Sequence, residues 1–113
     1  MNIEEWTKEI GDWARANRLG VMPGLVVHLA QEVVELGIAW RIWFDANYET
    51  KTTDADKAVV ANELADCAIL IINVAYTMGI DLEQAIYDKH RINKKRLWDQ
   101  PDTSGVVHHK ESR

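Results

Sequence analysis

Two pairs of acidic residues lie within segments that are otherwise strongly apolar. Glu32 and Glu35 are three residues apart, and Glu63 and Asp66 repeat that spacing. On an α-helix, residues three apart share one face, so each pair would project from one side of its helix. Because neighbouring positions on the same sides are apolar, the pattern predicts that both pairs point into a helical core.

These four carboxylates predict a divalent metal site. Carboxylates that converge in a core repel one another and lose their hydration, unless cations neutralise them. Oxygen ligands alone suit Mg²⁺, with Mn²⁺ as the second candidate. The predicted metal ligands are Glu32, Glu35, Glu63 and Asp66. The alternative is that each pair forms a solvated helix face with salt bridges to lysine or arginine.

A basic stripe follows later in the chain. Lys89, Asn93 and Arg96 are four and three residues apart, so they share one face of a helix. An ammonium group, an amide and a planar guanidinium on one face can clamp phosphate oxygen atoms. A basic last turn that interacts favourably with the helix dipole would explain Arg96 but not Lys89. Together with the acidic pairs, the stripe predicts a site for an Mg²⁺–nucleotide complex.

The segments that carry these residues have helical periodicity. Apolar residues recur at three- and four-residue spacing, and Gly20, Pro23 and Gly79 separate the segments. Asn2 is the predicted N-cap of the first helix, and Asp81 is that of the last. Four helices are predicted, over about residues 3–18, 23–45, 55–78 and 82–98. The predicted fold is an all-α bundle of four to five helices.

Two apolar patterns predict how this bundle packs. Residues Cys67 to Ile72 are an unbroken apolar run that covers almost all sides of the helix, which predicts that the third helix lies at the centre. The first helix has one apolar stripe, formed by Ile3, Trp6, Ile10, Trp13 and Ala14. Four helices of this length expose more apolar surface than one chain can cover, which predicts a homodimer or homotetramer.

Length and composition predict one domain. The 113 residues provide room for a single core, with residues 1–98 as the domain. Residues 99–113 offer little to bury and are predicted to form a mobile tail. The 18 acidic residues exceed the 13 basic ones, and the net charge of −5 argues against nucleic acid as a partner.

Three further features predict a cytoplasmic protein. The single cysteine, Cys67, cannot close an internal disulfide, which fits a reducing compartment. The start of the chain carries two acids and no apolar stretch, unlike a signal peptide. The apolar run from Cys67 to Ile72 is far shorter than the roughly 20 residues that span a bilayer, so no membrane partner is predicted.

The order of these motifs resembles the all-α nucleoside triphosphate pyrophosphatases, the MazG-like superfamily. The family's ExxE…ExxD signature is similar to Glu32–Glu35 followed by Glu63–Asp66, and its closing helix is similar to Lys89–Trp98. The resemblance covers about residues 6–98. It implies Mg²⁺-dependent hydrolysis of the α–β phosphoanhydride bond of a standard or modified (d)NTP. The products would be (d)NMP and pyrophosphate, and the role would be house-cleaning of the nucleotide pool.

Two positions depart from the family pattern. Gln31 stands where the family usually has a glutamate beside Glu32, which leaves the number of metal ions open. His28 stands where the family often has a lysine, one turn before Glu32. His28 can contact phosphate or metal, and the alternative is a histidine packed in the core.

Catalysis and base recognition involve further candidates. A carboxylate that is not fully engaged with metal could accept the proton of the attacking water, and both Glu35 and Glu63 are candidates. Trp40 and Trp43 lie one helical turn apart and could stack on a nucleobase, unless they are core residues. Asn17 could read an exocyclic group, although capping of the first helix explains it equally well.

Three other functions compete with this one. Phosphoribosyl-ATP pyrophosphatase shares the fold and metal chemistry, but the aromatic-rich second helix and long tail favour a house-cleaning enzyme. A non-catalytic helical adaptor would use the acids to bind lysines of a partner, and Mg²⁺-dependent pyrophosphate release separates it from both enzymes. A di-iron bundle is disfavoured because no histidine here follows a glutamate by three residues.

Overall fold

The computed structural model describes residues 1–17, 24–49 and 54–96, and these residues form four α-helices. The helices are α1 (Ile3–Ala16), α2 (Leu25–Glu49), α3 (Asp54–Met78) and α4 (Leu82–Lys95). No strand occurs within the described ranges. The all-α prediction is confirmed for this part of the chain.

Two helix ends follow the sequence signals. Asn2 Oδ1 accepts a hydrogen bond from the Glu5 N–H at 2.8 Å, so Asn2 caps α1 as predicted. Gly79 follows the last residue of α3, and its φ of +66° lies in the left-handed region that glycine adopts without strain. The Ile80 N–H then donates to the Ala75 carbonyl at 2.9 Å, which satisfies one of the last carbonyls of the helix.

Other helix ends differ from the prediction. α2 continues to Glu49, beyond its predicted end at Asp45, because no glycine or proline interrupts residues 46–49. α1 ends at Ala16 and α4 at Lys95, which are short of the predicted ends at 18 and 98. The predicted start of α2 at Pro23 and the predicted tail lie outside the described residues.

α3 is the central helix of the first compact unit, residues 1–81. Both α1 and α2 pack against it. Its buried residues are Cys67, Leu70, Asn73 and Ala75. The predicted central position of the third helix is confirmed within this unit. A second unit begins at Leu82, and α4 is described by itself.

The buried face of α1 differs from the predicted stripe. Gly11 and Ala14 are its buried residues, whereas Trp6 and Trp13 are 45% and 59% exposed. The Tyr76 ring of α3 lies so close to Gly11 that a Cβ there would overlap it. Trp6 and Trp13 of the predicted stripe are therefore not packed within the chain, because α1 meets α3 through its smallest residues.

A polar network holds α1 on α3. The Tyr76 hydroxyl donates to Asp12 Oδ1 at 2.9 Å, and Lys8 Nζ lies 2.6 Å from Asp12 Oδ2. The Arg15 guanidinium stands over the Tyr76 ring, 5.3 Å from its centroid. Hydrogen bonds from Lys8 and Tyr76 hold the pKa of Asp12 below its ordinary value. The network orients the Tyr76 ring against Gly11, and it thereby sets the position of α1 along α3.

Large apolar side chains remain exposed on α2 and α3. None of the large side chains in the described part of the chain is fully buried. The exposed set on these two helices comprises Val26, Val27, Val33, Val34, Ile38, Trp40, Ile42, Phe44, Val59, Leu64, Ile69, Ile71 and Met78. An apolar surface of this extent is typical of a protein that associates through it.

α3 has the length and apolar composition of a helix that could cross a membrane. The central helix of a water-soluble bundle meets the same criterion. Glu63 and Asp66 interrupt the apolar stretch, and their carboxylates converge with that of Glu32 on α2. The absence of a membrane partner, predicted from the short run at Cys67–Ile72, stays a prediction.

Candidate metal centre

Three carboxylates from α2 and α3 converge at one place. Glu32, Glu63 and Asp66 each offer one oxygen atom, and these three atoms lie within 4.8 Å of one another. Glu32 and Glu63 are partly buried, whereas Asp66 is exposed. The three- and four-residue periodicity of each helix turns these acids toward the neighbouring helix. Of the four predicted metal ligands, three thus meet in one cluster, called the acid cluster below.

Glu35, the fourth predicted ligand, lies at the edge of this cluster. It is exposed and is not among the three residues whose oxygen atoms converge. The negative charge of Glu32 is the largest influence on its pKa, which is raised above the ordinary value of 4.5. A hydrogen bond with Glu32 and the charges of Glu63 and Asp66 act in the same direction. Glu35 is therefore close enough to respond to the cluster without belonging to it.

The oxygen atoms of the acid cluster fit a hard divalent cation. Glu32 Oε2 and Glu63 Oε2 are buried, and neither has a hydrogen-bond partner among the described residues. Buried carboxylate oxygens without a partner are rare, because losing hydration without a replacement is costly. A site of three carboxylates with two such oxygen atoms has the ligand type and charge that Mg²⁺ and Mn²⁺ prefer.

His28 stands beside the acid cluster rather than in the core. Its Nε2 lies 3.3 Å from Glu32 Oε1, and its side chain is 56% exposed. The alternative of a packed core histidine is therefore wrong. The structure leaves the ring accessible next to the cluster, and its predicted contact with phosphate stays a prediction.

Cys67 was not predicted as part of this region. Its thiol is buried, and burial is the first cause that raises its pKa. The charges of Glu32, Glu63 and Asp66 raise the pKa further. The raised pKa favours the protonated, uncharged thiol. Its position four residues after Glu63 was the available signal, because residues four apart share a helix face.

The predicted phosphate-binding residues lie on or next to α4. Lys89 is exposed, and Asn93 and Arg96 are partly buried. Arg96 follows the last helical residue, and its backbone N–H donates to the Asn93 carbonyl at 3.2 Å. The three residues retain the helical spacing on which the prediction rested. Since α4 belongs to the second unit, their role stays a prediction.

The predicted base-binding residues have separate structural contacts. Trp40 and Trp43 stack on each other with ring centroids 5.2 Å apart, and Phe44 lies 6.0 Å from Trp40. Trp40 is 51% exposed, so part of its surface is accessible. Asn17 Nδ2 donates to the Trp13 carbonyl at 2.7 Å, and Asn17 is the C-cap of α1. Base recognition by these residues stays a prediction.

Two curated proteins align with part of this chain. A protein of Salmonella phage PMBT28, named dATP/dGTP diphosphohydrolase, is 38% identical over 50 residues, which are 44% of this chain and 17% of the relative. A protein of Cyanophage S-2L with the same name is 35% identical over 54 residues, which are 48% of this chain and 51% of the relative. No family model and no solved structure matches the chain. The aligned part covers about half or less of each relative.

Proposed function

We propose that this protein is an Mg²⁺-dependent nucleoside triphosphate pyrophosphohydrolase that converts a (d)NTP to (d)NMP and pyrophosphate. The observation that carries the proposal is the acid cluster of Glu32, Glu63 and Asp66, with two buried oxygen atoms that have no partner in the described part of the chain. The names of the two partial relatives support hydrolysis of a nucleoside triphosphate in general. A solvated acidic face, the alternative considered from the sequence, does not account for the buried oxygen atoms.

Glu32, Glu63 and Asp66 would hold the metal in this proposal. A bound Mg²⁺ neutralises phosphate charge and lowers the pKa of a water ligand. The protein supplies a fixed set of oxygen ligands on two packed helices, so the ligands need little rearrangement before the substrate arrives. His28, which contacts Glu32, lies where it could orient that carboxylate or contact a phosphate oxygen.

Glu35 is the proposed general base. It lies outside the acid cluster and is exposed, so it can reach a water molecule without giving up a metal contact. Glu63, the other candidate, is a member of the cluster and is better suited to hold the metal.

Lys89, Asn93 and Arg96 are proposed to hold the triphosphate. Lys89 and Arg96 would balance part of its negative charge, and the Asn93 amide would donate a hydrogen bond. The protein is further proposed to act as a homodimer or homotetramer in the cytoplasm. The exposed apolar faces of α2 and α3 support self-association, because a second copy would cover them.

The test is a panel of standard and modified dNTPs and NTPs, together with phosphoribosyl-ATP, incubated with the protein and Mg²⁺. We expect equal amounts of monophosphate and pyrophosphate from at least one nucleotide, and no product in excess EDTA. Release of inorganic phosphate alone would contradict cleavage at the α–β bond. Absence of any product would favour the non-catalytic adaptor, and a preference for phosphoribosyl-ATP would favour the related pyrophosphatase.

A further inference from the structure

Asn73 is a buried polar residue that the proposed chemistry does not use. Its exposure is 8%, and its Oδ1 atom has no hydrogen-bond partner among the described residues. Its neighbours on α3 include the buried apolar residues Leu70 and Ala75. Nearly all buried polar atoms in proteins have a partner. Asn73 Oδ1 is therefore expected to accept a hydrogen bond from a group outside the described residues.

The position of Asn73 relates it to the acid cluster. It follows Asp66 by seven residues on α3, and residues seven apart on an α-helix differ in direction by only about 20°. The two residues therefore share a face and are separated by about 10.5 Å along the helix axis. Tyr76, one turn further on, contacts α1. Asn73 thus lies between the acid cluster and the contact of α3 with α1.

We propose that Asn73 Oδ1 accepts a hydrogen bond from the nucleoside part of the substrate. This inference rests on the proposed function. An ionised triphosphate offers only acceptor oxygen atoms, so it cannot supply the donor that Oδ1 lacks. The nucleoside does carry donors, namely a sugar hydroxyl and, in several bases, an exocyclic amine. When the phosphates are held at the acid cluster, the part of the substrate that can donate to Asn73 is therefore the nucleoside.

A nucleoside at Asn73 would fix the direction of the substrate along α2 and α3. α2 ends at Glu49 and α3 begins at Asp54, so these two packed helices run antiparallel. On α3, Asn73 lies on the C-terminal side of the acid cluster. On α2, Trp40 and Trp43 also lie on the C-terminal side of the cluster. The two locations are on opposite sides of the acid cluster. A nucleoside bound at Asn73 cannot also stack on Trp40.

The test compares the best dNTP from the panel with two analogues, a 2′,3′-dideoxynucleotide and a base that lacks the exocyclic amine. We expect the wild-type kcat/KM to fall about tenfold for the analogue that lacks the relevant donor. Asn73→Leu should lose about tenfold for the full substrate and nothing for that analogue. Affinity for the monophosphate product, measured by calorimetry with Mg²⁺, should fall by the same factor. The control is Ala68→Leu, which adds the same side chain at an exposed position of α3, two residues from Asp66 and so on another side of the helix.

Several results would overturn the inference. If Asn73→Leu changes only the melting temperature and retains the wild-type preference, Asn73 has a packing role alone. If Trp40→Ala removes the preference, the nucleoside lies at the other end of the site. If Asn73→Leu does not fold, equal wild-type kcat/KM values for the substrate and both analogues would decide against the inference. If the wild-type protein cleaves no nucleotide, the proposed function is wrong as well. The other results contradict only the role of Asn73, so the two failures can be told apart.

Discussion

Glu35 reports on the charge that the acid cluster holds. The charge of Glu32, followed by their shared hydrogen bond and by Glu63 and Asp66, raises its pKa above 4.5. The folded state therefore binds a proton at Glu35 more tightly than the unfolded state does. The contribution of Glu35 to the free energy of unfolding must then fall as pH rises from 4.5 through the raised pKa.

The corresponding prediction concerns the melting temperature without metal. Relative to Glu35→Gln, which carries no charge at any pH, the wild-type protein should lose stability as pH rises from 4.5 toward neutrality. The comparison with the variant removes the contribution of Asp12, whose lowered pKa acts in the opposite direction. Saturating Mg²⁺ should reduce the difference, because it neutralises the neighbouring carboxylates. A difference that is independent of pH would contradict this account.

Glu63 tests the metal site itself. Glu63→Gln keeps the size of the side chain but removes one negative charge from the acid cluster. We expect loss of pyrophosphate release and loss of the Mg²⁺-dependent rise in melting temperature, with helicity unchanged by circular dichroism. The matched control is Glu9→Gln, an exposed acid on α1. Full activity of Glu63→Gln would disprove the metal mechanism.

At the level of the helices, Gly11 decides how α1 packs on α3. Gly11→Ala should lower the free energy of unfolding by about 1–3 kcal/mol, because its Cβ would overlap the Tyr76 ring. The matched control is Gly37→Ala on α2, where no atom of the described residues lies within 4 Å of an added Cβ. That change should stabilise the protein by up to about 1 kcal/mol, since alanine favours helix. Urea denaturation measures both, and equal effects would contradict the contact.

Substitutions on and next to α4 test whether the basic stripe of Lys89, Asn93 and Arg96 binds phosphate. Arg96→Ala should weaken substrate binding roughly ten- to hundredfold, because one charge-assisted hydrogen bond contributes about 1.5–3 kcal/mol. The effect should appear mainly in KM or kcat/KM. Lys94→Ala is the matched control, since Lys94 is an exposed cation of the last turn. If Arg96 serves only to balance the helix dipole, both variants will leave the kinetics unchanged.

For the whole molecule, the exposed apolar faces predict self-association. Light scattering at micromolar concentration should give at least twice the chain mass of 12.9 kDa. Val34→Lys should lower that mass, because Val34 is 62% exposed and its charge would disrupt an apolar contact. It lies two residues from Glu32 and so on the far side of α2 from the acid cluster. An active wild-type monomer of 12.9 kDa would contradict the prediction.

Local signals in the sequence were sufficient to predict the four described helices, although not all of their ends. Side chains within one or two turns of each other explain the cap at Asn2, the stop at Gly79 and the helical content of residues 1–17, 24–49 and 54–96. The pairing of Glu63 with Asp66 follows in the same way, because three-residue spacing defines one helix face. These features could be predicted because each depends on backbone geometry that a short segment determines by itself.

The relations between helices required the tertiary structure. The contact of Gly11 with Tyr76 links residues far apart in sequence, and Trp6 and Trp13 stay exposed in the chain. Periodicity also could not show that Glu35 lies outside the three converging acids, or that Asn73 Oδ1 has no hydrogen-bond partner within the described ranges. The reason is that spacing gives the direction of a side chain from its own helix axis. The rotation and approach of two helices depend on every contact between them, and the smallest residues decide where those contacts are closest.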